Sequence, residues 1–108
     1  SSRIVIISGG ENISSVEVEG CLLHHPSVQE VAVVGMPHEK WGESPHAFVV
    51  LKEGAAASED EIKLHVRNNL AHFKTPSWVS FVEDLPKTAT GKVQKYVLRG
   101  GESGISRQ

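Results

Sequence analysis

Short apolar runs and polar breaks alternate along the chain, and their pattern predicts a mixture of strands and helices. The apolar runs are rich in β-branched residues, which favour strands. Glycine, proline or a charged turn closes most of these runs, as expected where a strand gives way to a turn. The predicted strands are 4–7, a short return strand at 12–13, 28–34, 47–51 and 78–82.

Two Ser-x-x-Glu capping boxes predict where the main helices begin. They lie at residues 14–17 and 58–61, where each serine side chain can accept a hydrogen bond from a backbone N–H of the first turn. Apolar residues spaced by four positions follow each box, which is typical of a helix that buries one face. The helices should run to about His24 and about Ala71, and a short third helix is expected over 93–98.

The order of these elements predicts one α+β domain over residues 1–108. Two main helices would pack against a small sheet of about three strands, with a short hairpin at the N-terminus and a short helix at the C-terminus. A length of 108 residues fits a single domain. Residues 100–108 have little apolar surface to pack and are expected to form a mobile tail.

Composition and charge exclude several classes of function. The net charge of −2 offers no basic excess for phosphates, so no nucleic-acid partner is expected. No apolar run approaches the ~20 residues of a membrane span. The single cysteine, Cys21, excludes an internal disulfide and fits an intracellular location. Cys21 and His24 share a helical face, but no second pair stands at a ligand spacing, so no metal site is expected.

Residues 85–95 form the stretch that is least suited to a hydrophobic core. Their sequence is Leu-Pro-Lys-Thr-Ala-Thr-Gly-Lys-Val-Gln-Lys. Pro86 fixes one backbone dihedral angle, and the threonines and glycine that follow are typical of an exposed loop. Lys92 comes directly after Gly91, so this loop could carry a compact cation to an anion. A P-loop is excluded because Pro86 and Val93 replace residues that this motif requires. A solvated turn with three lysines is the alternative interpretation.

Four motifs in order along the chain carry a resemblance to a known family. They are Ser8-Gly9-Gly10-Glu11-Asn12-Ile13, Trp41-Gly42-Glu43, His72-Phe73-Lys74-Thr75-Pro76 and Leu85-Pro86-Lys87-Thr88-Ala89-Thr90-Gly91-Lys92. Over about residues 4–99 the chain resembles the C-terminal domain of adenylate-forming enzymes, the acyl-CoA synthetases and their relatives. The first two motifs are most similar to short- and medium-chain acid–CoA ligases, including the plant acyl-activating type.

The resemblance implies a reaction in two steps. A carboxylate attacks ATP to give an acyl adenylate and pyrophosphate, and coenzyme A then displaces AMP to give a thioester. A larger N-terminal adenylation domain, absent from this chain, would hold most of the ATP, Mg²⁺ and acid sites. The small domain would swing between two poses and offer a different face to each step. The isolated domain is therefore expected to be inactive.

The resemblance also implies a role for the loop that ends in Gly91 and Lys92. Lys92 matches the catalytic lysine of the family. Its ammonium group would bridge the attacking carboxylate and the phosphate that gains negative charge, which stabilises the transition state for adenylate formation.

A second set of residues is implied for coenzyme A. The loop over residues 8–11 would line the tunnel for the pantetheine arm, because glycine lets the backbone approach a thin ligand closely. Phe73 would stack on the adenine and Lys74 would meet a phosphate, although a phenylalanine after an amphipathic helix is more often part of the core. The 41–43 motif would border the site, or else supply an apolar cap and a solvated charge. The residues implied are Ser8, Gly9, Gly10, Glu11, Phe73 and Lys74, with Trp41, Gly42 and Glu43 beside them.

Some features depart from the family pattern. Thr75 and Ser77 are uncharged where some relatives carry basic residues for the coenzyme A phosphates. The hinge position carries Arg3-Ile4 instead of the usual Asp or Lys. The chain begins without methionine, directly on an apolar run, which suggests a piece of a longer protein.

Two other functions stay open at this stage. The acyl group could pass to a different acceptor, such as a carrier-protein thiol or oxygen. The chain could also be a free-standing binding or regulatory module with the same fold.

The final Ser106-Arg107-Gln108 resembles a peroxisomal targeting signal except at its last residue. The sequence therefore does not decide between peroxisome, mitochondrion and cytosol.

Overall fold

In the computed structural model, which describes residues 5–91 and 93–98, five strands form one sheet against which the helices pack. The strands are β1 (Val5–Ser8), β2 (Glu11–Ser14), β3 (Val28–His38), β4 (Gly42–Leu51) and β5 (Trp78–Phe81). The helices are α1 (Ser15–Leu23), α2 (Glu59–Asn69) and α3 (Lys95–Leu98), with a 3-10 turn over His72–Lys74. The predicted α+β class is confirmed, and the sheet has more strands than the three expected.

Strand β4 joins the other parts of the sheet. It pairs antiparallel with β3 along its whole length, from Leu51 opposite Val28 to Gly42 opposite His38. On its other side it pairs in parallel with β5 over residues 46–49. It also meets β1 at a single position, Ser8 opposite Gly42, so the β1–β2 hairpin extends the sheet at the start of β4.

Strands β3 and β4 are longer than the sequence predicted. The expected break after residue 34 is wrong, because β3 continues through Pro37 to His38. Among the described residues β3 pairs only with β4, and an edge strand tolerates a proline because its missing N–H is not needed on the open side. The loop expected over 38–44 is therefore only a short turn, which ends at Gly42 with φ +87°.

The outer edge of β3 is covered by a side chain of α1. Glu19 Oε2 accepts a hydrogen bond from the backbone N–H of Val33 at 2.8 Å. The same oxygen lies 2.6 Å from the ammonium group of Lys95, which also donates to Ser15 Oγ at 3.1 Å. This half-buried ion pair fixes α3 to α1 at the edge of the sheet.

The serine half of both predicted capping boxes is confirmed at the helix N-termini. Ser14 Oγ accepts from the Glu17 N–H at 3.4 Å, and Ser58 Oγ accepts from the Glu61 N–H at 3.1 Å. The two main helices end at Leu23 and Asn69, within two residues of the predicted ends. The third helix is shorter than predicted. The first residue of the predicted strand 4–7 and the predicted tail 100–108 lie outside the described residues.

Two hydrophobic clusters cover opposite faces of the sheet, since neighbouring residues Val49 and Val50 of β4 enter different clusters. The smaller cluster joins Ala32, Val50 and Leu85 to Val93 and Leu98. The larger one involves α1 and α2 and contains Ile6, Ile13, Val18, Leu22, Val28, Val33, Ala47, Val49, Ile62, Val66 and Val79.

A core substitution on α1 has a matched control in the next residue. Leu22 is fully buried, whereas Leu23 is 51% exposed. Leu22→Ala should lower the free energy of unfolding by about 2–5 kcal/mol, because it removes buried methyl groups and leaves a cavity. Leu23→Ala should change it by less than about 0.5 kcal/mol. Chemical denaturation of both variants measures the difference, and similar losses would contradict the packing described for α1.

Candidate functional site

The turn between β1 and β2 has a conformation that requires glycine. Gly9 has φ +58° and Gly10 has φ +86°, the left-handed values of the tight two-residue turns that join antiparallel strands. The N–H of Gly9 donates a hydrogen bond to the carbonyl oxygen of Trp41 at 2.9 Å. The glycine turn is thus fixed to the turn between β3 and β4, far away in sequence.

A cleft of about 420 Å³ opens beside this turn and is named here the glycine-loop cleft. It brings together residues from three of the four sequence motifs, and two further serines, Ser44 and Ser77. Its lining residues are Ser8, Gly9, Glu11, Trp41, Ser44, His72, Phe73, Thr75 and Ser77. Five residues of the predicted set therefore share one cleft. Gly10, Gly42, Glu43 and Lys74 are not among its lining residues.

The two aromatic residues of the cleft face solvent. The side chain of Phe73 is 42% exposed and that of Trp41 is 44% exposed. The alternative interpretation of Phe73 as a core residue is therefore wrong, because α2 ends at Asn69 and the 3-10 turn carries Phe73 outside the core. Trp41 lies beneath the ammonium group of Lys40, which is 4.8 Å from the ring centroid.

Hydroxyl groups dominate the polar lining of the cleft. Ser44 Oγ and Ser77 Oγ share a short hydrogen bond. Thr75 Oγ1 is buried and has no hydrogen-bond partner among the described residues. Ser8 contributes a further hydroxyl, and Glu11 is the one acidic residue of the described lining.

Lys74 lies next to Phe73 but is engaged elsewhere. Its ammonium group forms an ion pair with Glu17 Oε1 at 2.7 Å and lies 5.7 Å from the Phe73 ring centroid. The interaction links the 3-10 turn to α1. A phosphate that approached Lys74 would have to compete with the Glu17 carboxylate.

Glu43 is half-buried rather than a solvated surface charge. Its Oε1 accepts a hydrogen bond from the backbone N–H of Ile7 at 3.2 Å. Gly42, the residue before it, pairs with Ser8. These two residues of the 41–43 motif therefore support the glycine turn through their contacts with β1.

The loop at residues 85–95 is held at its base. Lys87 and Val93 form a backbone bridge, and the Gln94 N–H donates to the Pro86 carbonyl oxygen at 2.8 Å. The Gly91 N–H donates to the Thr88 carbonyl oxygen at 2.9 Å, and Gly91 is exposed with φ +90°. The predicted catalytic residue between these anchors, position 92, lies outside the described residues.

Two lysines near this loop have acidic partners. Lys87 forms an ion pair with Glu30 at 2.8 Å, and its hydrogen bond to that carboxylate raises the pKa of Lys87. Lys95 forms the ion pair with Glu19. Two of the three lysines of the loop are therefore paired with carboxylates rather than fully solvated.

The glycine-loop cleft and the 85–95 loop lie toward opposite ends of β4. Ser44, near the start of the strand, lines the cleft, and Val50, near its end, packs against Leu85 of the loop. Six strand residues span about 20 Å. The two predicted functional regions therefore do not converge on one site.

Cysteine and histidine side chains give no sign of nucleophilic or metal chemistry within the described ranges. Burial, and to a lesser extent the Glu17 carboxylate, raise the pKa of the Cys21 thiol, which favours the unreactive protonated form. His25 is buried, and its Nε2 bonds Glu61 Oε2 at 2.9 Å. Residues 5–91 and 93–98 contain no group of three or more His, Cys, Asp or Glu placed to hold a metal ion. None of their helices is long and apolar enough to cross a membrane.

The sequence did not predict that Ser44 and Ser77 contact each other in the cleft. Ser77 reaches Ser44 because its N–H donates to the Pro45 carbonyl oxygen at 2.9 Å, just before β5 pairs in parallel with β4. No local signal in the sequence announces a contact between residues so far apart. The resemblance had placed Thr75 and Ser77 where some relatives contact coenzyme A, but it gave no indication of Ser44.

Comparisons with known proteins agree on one family. Residues 17–92 match the family model described as AMP-binding enzyme C-terminal domain. A probable CoA ligase of Humulus lupulus is 56% identical over 100 residues, covering 91% of this chain and 18% of the ligase. A peroxisomal trans-cinnamate:CoA ligase of Petunia hybrida is 55% identical over 95 residues, covering 88% of this chain and 17% of that enzyme. The chain thus spans less than a fifth of the length of these relatives.

Solved structures show the same relationship. The crystal structure of ATP-bound MatB from Rhodopseudomonas palustris has a TM-score of 0.85 and 42% identity, over 88% of this chain and 19% of MatB. The amide bond synthetase McbA from Marinactinospora thermotolerans has a TM-score of 0.86 and 36% identity, over 90% of this chain and 20% of McbA.

The contact between Gly9 and Trp41 can be tested with two alanine variants. A Cβ on Gly9 would lie 3.0 Å from Trp41 Cε3, whereas a Cβ on Gly10 would meet nothing within 4 Å. Gly9→Ala and Gly10→Ala should each lower the free energy of unfolding by about 1–2 kcal/mol, because alanine is strained at positive φ. Only Gly9→Ala should displace the indole ring and change the tryptophan fluorescence emission. The same emission in both variants would contradict the packing of Trp41 on the turn.

Proposed function

The chain belongs to the AMP-binding enzyme C-terminal domain family, and from this premise we propose that it is the mobile C-terminal domain of an ATP-dependent acid–CoA ligase. The intact enzyme forms an acyl adenylate and pyrophosphate from a carboxylate and ATP. It then transfers the acyl group to the thiol of coenzyme A and releases AMP. The observation that carries the proposal is the glycine-loop cleft, which gathers residues of separate motifs around one open groove.

The proposed occupant of the cleft during thioester formation is the pantetheine arm. Gly9 has no side chain to narrow the groove, and its backbone is fixed by the Trp41 carbonyl group. The hydroxyls of Ser8 and Ser77 offer donors and acceptors to the amide groups of the arm.

The nucleotide end of coenzyme A is assigned to the rim of the cleft. The exposed ring of Phe73 can stack on an adenine. Lys74 can bind a phosphate when it exchanges its Glu17 partner for the ligand, which makes its contribution smaller than that of a free lysine.

Adenylate formation is assigned to the opposite end of the domain. Lys92 would stabilise the negative charge that develops as the carboxylate oxygen attacks the α-phosphorus of ATP and pyrophosphate leaves. Support for this role comes from the fixed base of the loop, which presents the exposed Gly91 beside position 92. Since this loop and the cleft are separated along β4, the domain has to turn between the two steps.

The proposed partner is an N-terminal adenylation domain that holds the acid, ATP and Mg²⁺. The glycine-loop cleft is an open groove in this domain, so a second wall has to come from that partner.

We propose an intracellular enzyme, and the peroxisomal Petunia ligase makes the peroxisome one candidate compartment.

The role of Lys92 predicts unequal effects on the two half-reactions. In the intact protein, Lys92→Ala should slow ATP-dependent adenylate formation by about 10²–10³-fold, because a preorganised charge contact to the transition state is lost. Thioester formation from supplied acyl adenylate should survive. Pyrophosphate release measures the first step and acyl-CoA formation the second.

Lys52→Ala is the matched control, since Lys52 is an exposed lysine just after β4. It should leave both half-reactions unchanged. Equal loss of both steps in Lys92→Ala would show that the lysine is structural and would contradict its catalytic role.

The identity of the acceptor is tested on the intact protein with coenzyme A, a carrier protein and an amine in parallel. Acyl transfer to coenzyme A is expected to be fastest, and the 108-residue domain by itself should form no acyl-CoA. A protein that forms the adenylate but passes it only to an amine would overturn the assignment of the cleft to pantetheine, and one that passes it only to a carrier-protein thiol would overturn the assignment to coenzyme A.

A further inference from the structure

Three consecutive contacts hold the end of β1 against the Trp41-Gly42-Glu43 motif. Two of them use the backbone, and the third uses a side chain. They are the bond from Gly9 N–H to the Trp41 carbonyl oxygen at 2.9 Å, the pairing of Ser8 with Gly42, and the bond from Ile7 N–H to Glu43 Oε1 at 3.2 Å.

The Glu43 carboxylate takes the place of a strand partner. Strands β1 and β4 are in register at one position only, Ser8 opposite Gly42. Ile7 lies opposite Asn12 of β2, but alternate residues of a strand direct their N–H groups to opposite edges, and the N–H of Ile7 points to the β4 side. The carboxylate supplies the acceptor on that side, and an ionised acceptor makes a stronger bond than a carbonyl group.

A glycine in the neighbouring strand β3 leaves space for this carboxylate. Gly35 of β3 is buried, and a Cβ there would lie 3.2 Å from Glu43 Oε1 and 3.2 Å from the side chain of Ile6. Any larger residue at position 35 would push against both Glu43 and β1. The position of the carboxylate is thus fixed by packing as well as by its hydrogen bond.

We infer that Glu43 is a positioning residue for the wall that Ser8 and Gly9 form in the glycine-loop cleft. Glu43 is not among the lining residues of the cleft. It therefore affects the binding of coenzyme A indirectly, through the end of β1 that it holds in place. The inference rests on the proposed function, and it assigns Glu43 to thioester formation. Adenylate formation should not depend on it, because the 85–95 loop lies toward the other end of β4.

The kinetic test uses the intact protein with Glu43→Ala, Glu43→Gln and a control, Glu39→Ala, whose side chain is exposed on the same turn. Glu43→Ala should raise KM for coenzyme A and slow thioester formation from supplied adenylate by about tenfold or more, since small misplacement of a binding wall is costly. Pyrophosphate release with acid and ATP should change by less than about twofold. Glu43→Gln keeps an acceptor oxygen and should recover most of the lost rate, and Glu39→Ala should match the unmodified protein.

Amide hydrogen exchange of the same proteins tests the positioning without relying on activity. Exchange at Ile7 and Gly9 should become faster in Glu43→Ala and stay slow in Glu43→Gln and Glu39→Ala. Unchanged exchange in Glu43→Ala, or equal loss of both half-reactions, would overturn the inference. An unmodified protein that makes no thioester would instead contradict the proposed function, and the exchange rates would still decide whether Glu43 holds β1.

Discussion

Backbone pairing along both edges of β4 is the constraint on which the rest of the structure depends. One edge is occupied by β3 throughout, and the other is shared by the β5 segment and the β1–β2 hairpin. This sharing places the glycine turn, the 41–43 motif and the residues before β5 next to one another. Residues that are distant in the chain thereby form a single cleft.

The local features of the fold could be predicted from the sequence, and the long-range ones could not. Ser14 and Ser58 start helices because a short polar side chain can satisfy nearby N–H groups, and that preference is visible in four consecutive residues. The proline at position 37 misled the prediction, since its effect depends on whether the strand is at an edge of the sheet. A proline is compatible with an edge strand as well as with a break, and only the pairing of the whole sheet decides between the two.

The candidate site shows the same division between local and long-range information. The sequence motifs identified Ser8, Gly9, Glu11, Trp41 and Phe73, and all of them line the cleft. The contacts of Glu43 with Ile7 and of Lys74 with Glu17 join residues 36 and 57 positions apart, and they changed the interpretation of both charged side chains. A charged side chain that the sequence assigns to a ligand or to solvent can thus hold two elements of the fold together.

The edge of β3 also has a consequence for how copies of this domain behave toward each other. An exposed strand edge offers unpaired N–H and carbonyl groups that can template aggregation with another chain. Here the N–H of Val33 is bonded to the Glu19 carboxylate, and Pro37 has no N–H to offer. The acidic oxygen and the proline ring therefore discourage a second molecule from adding its own strand to this edge.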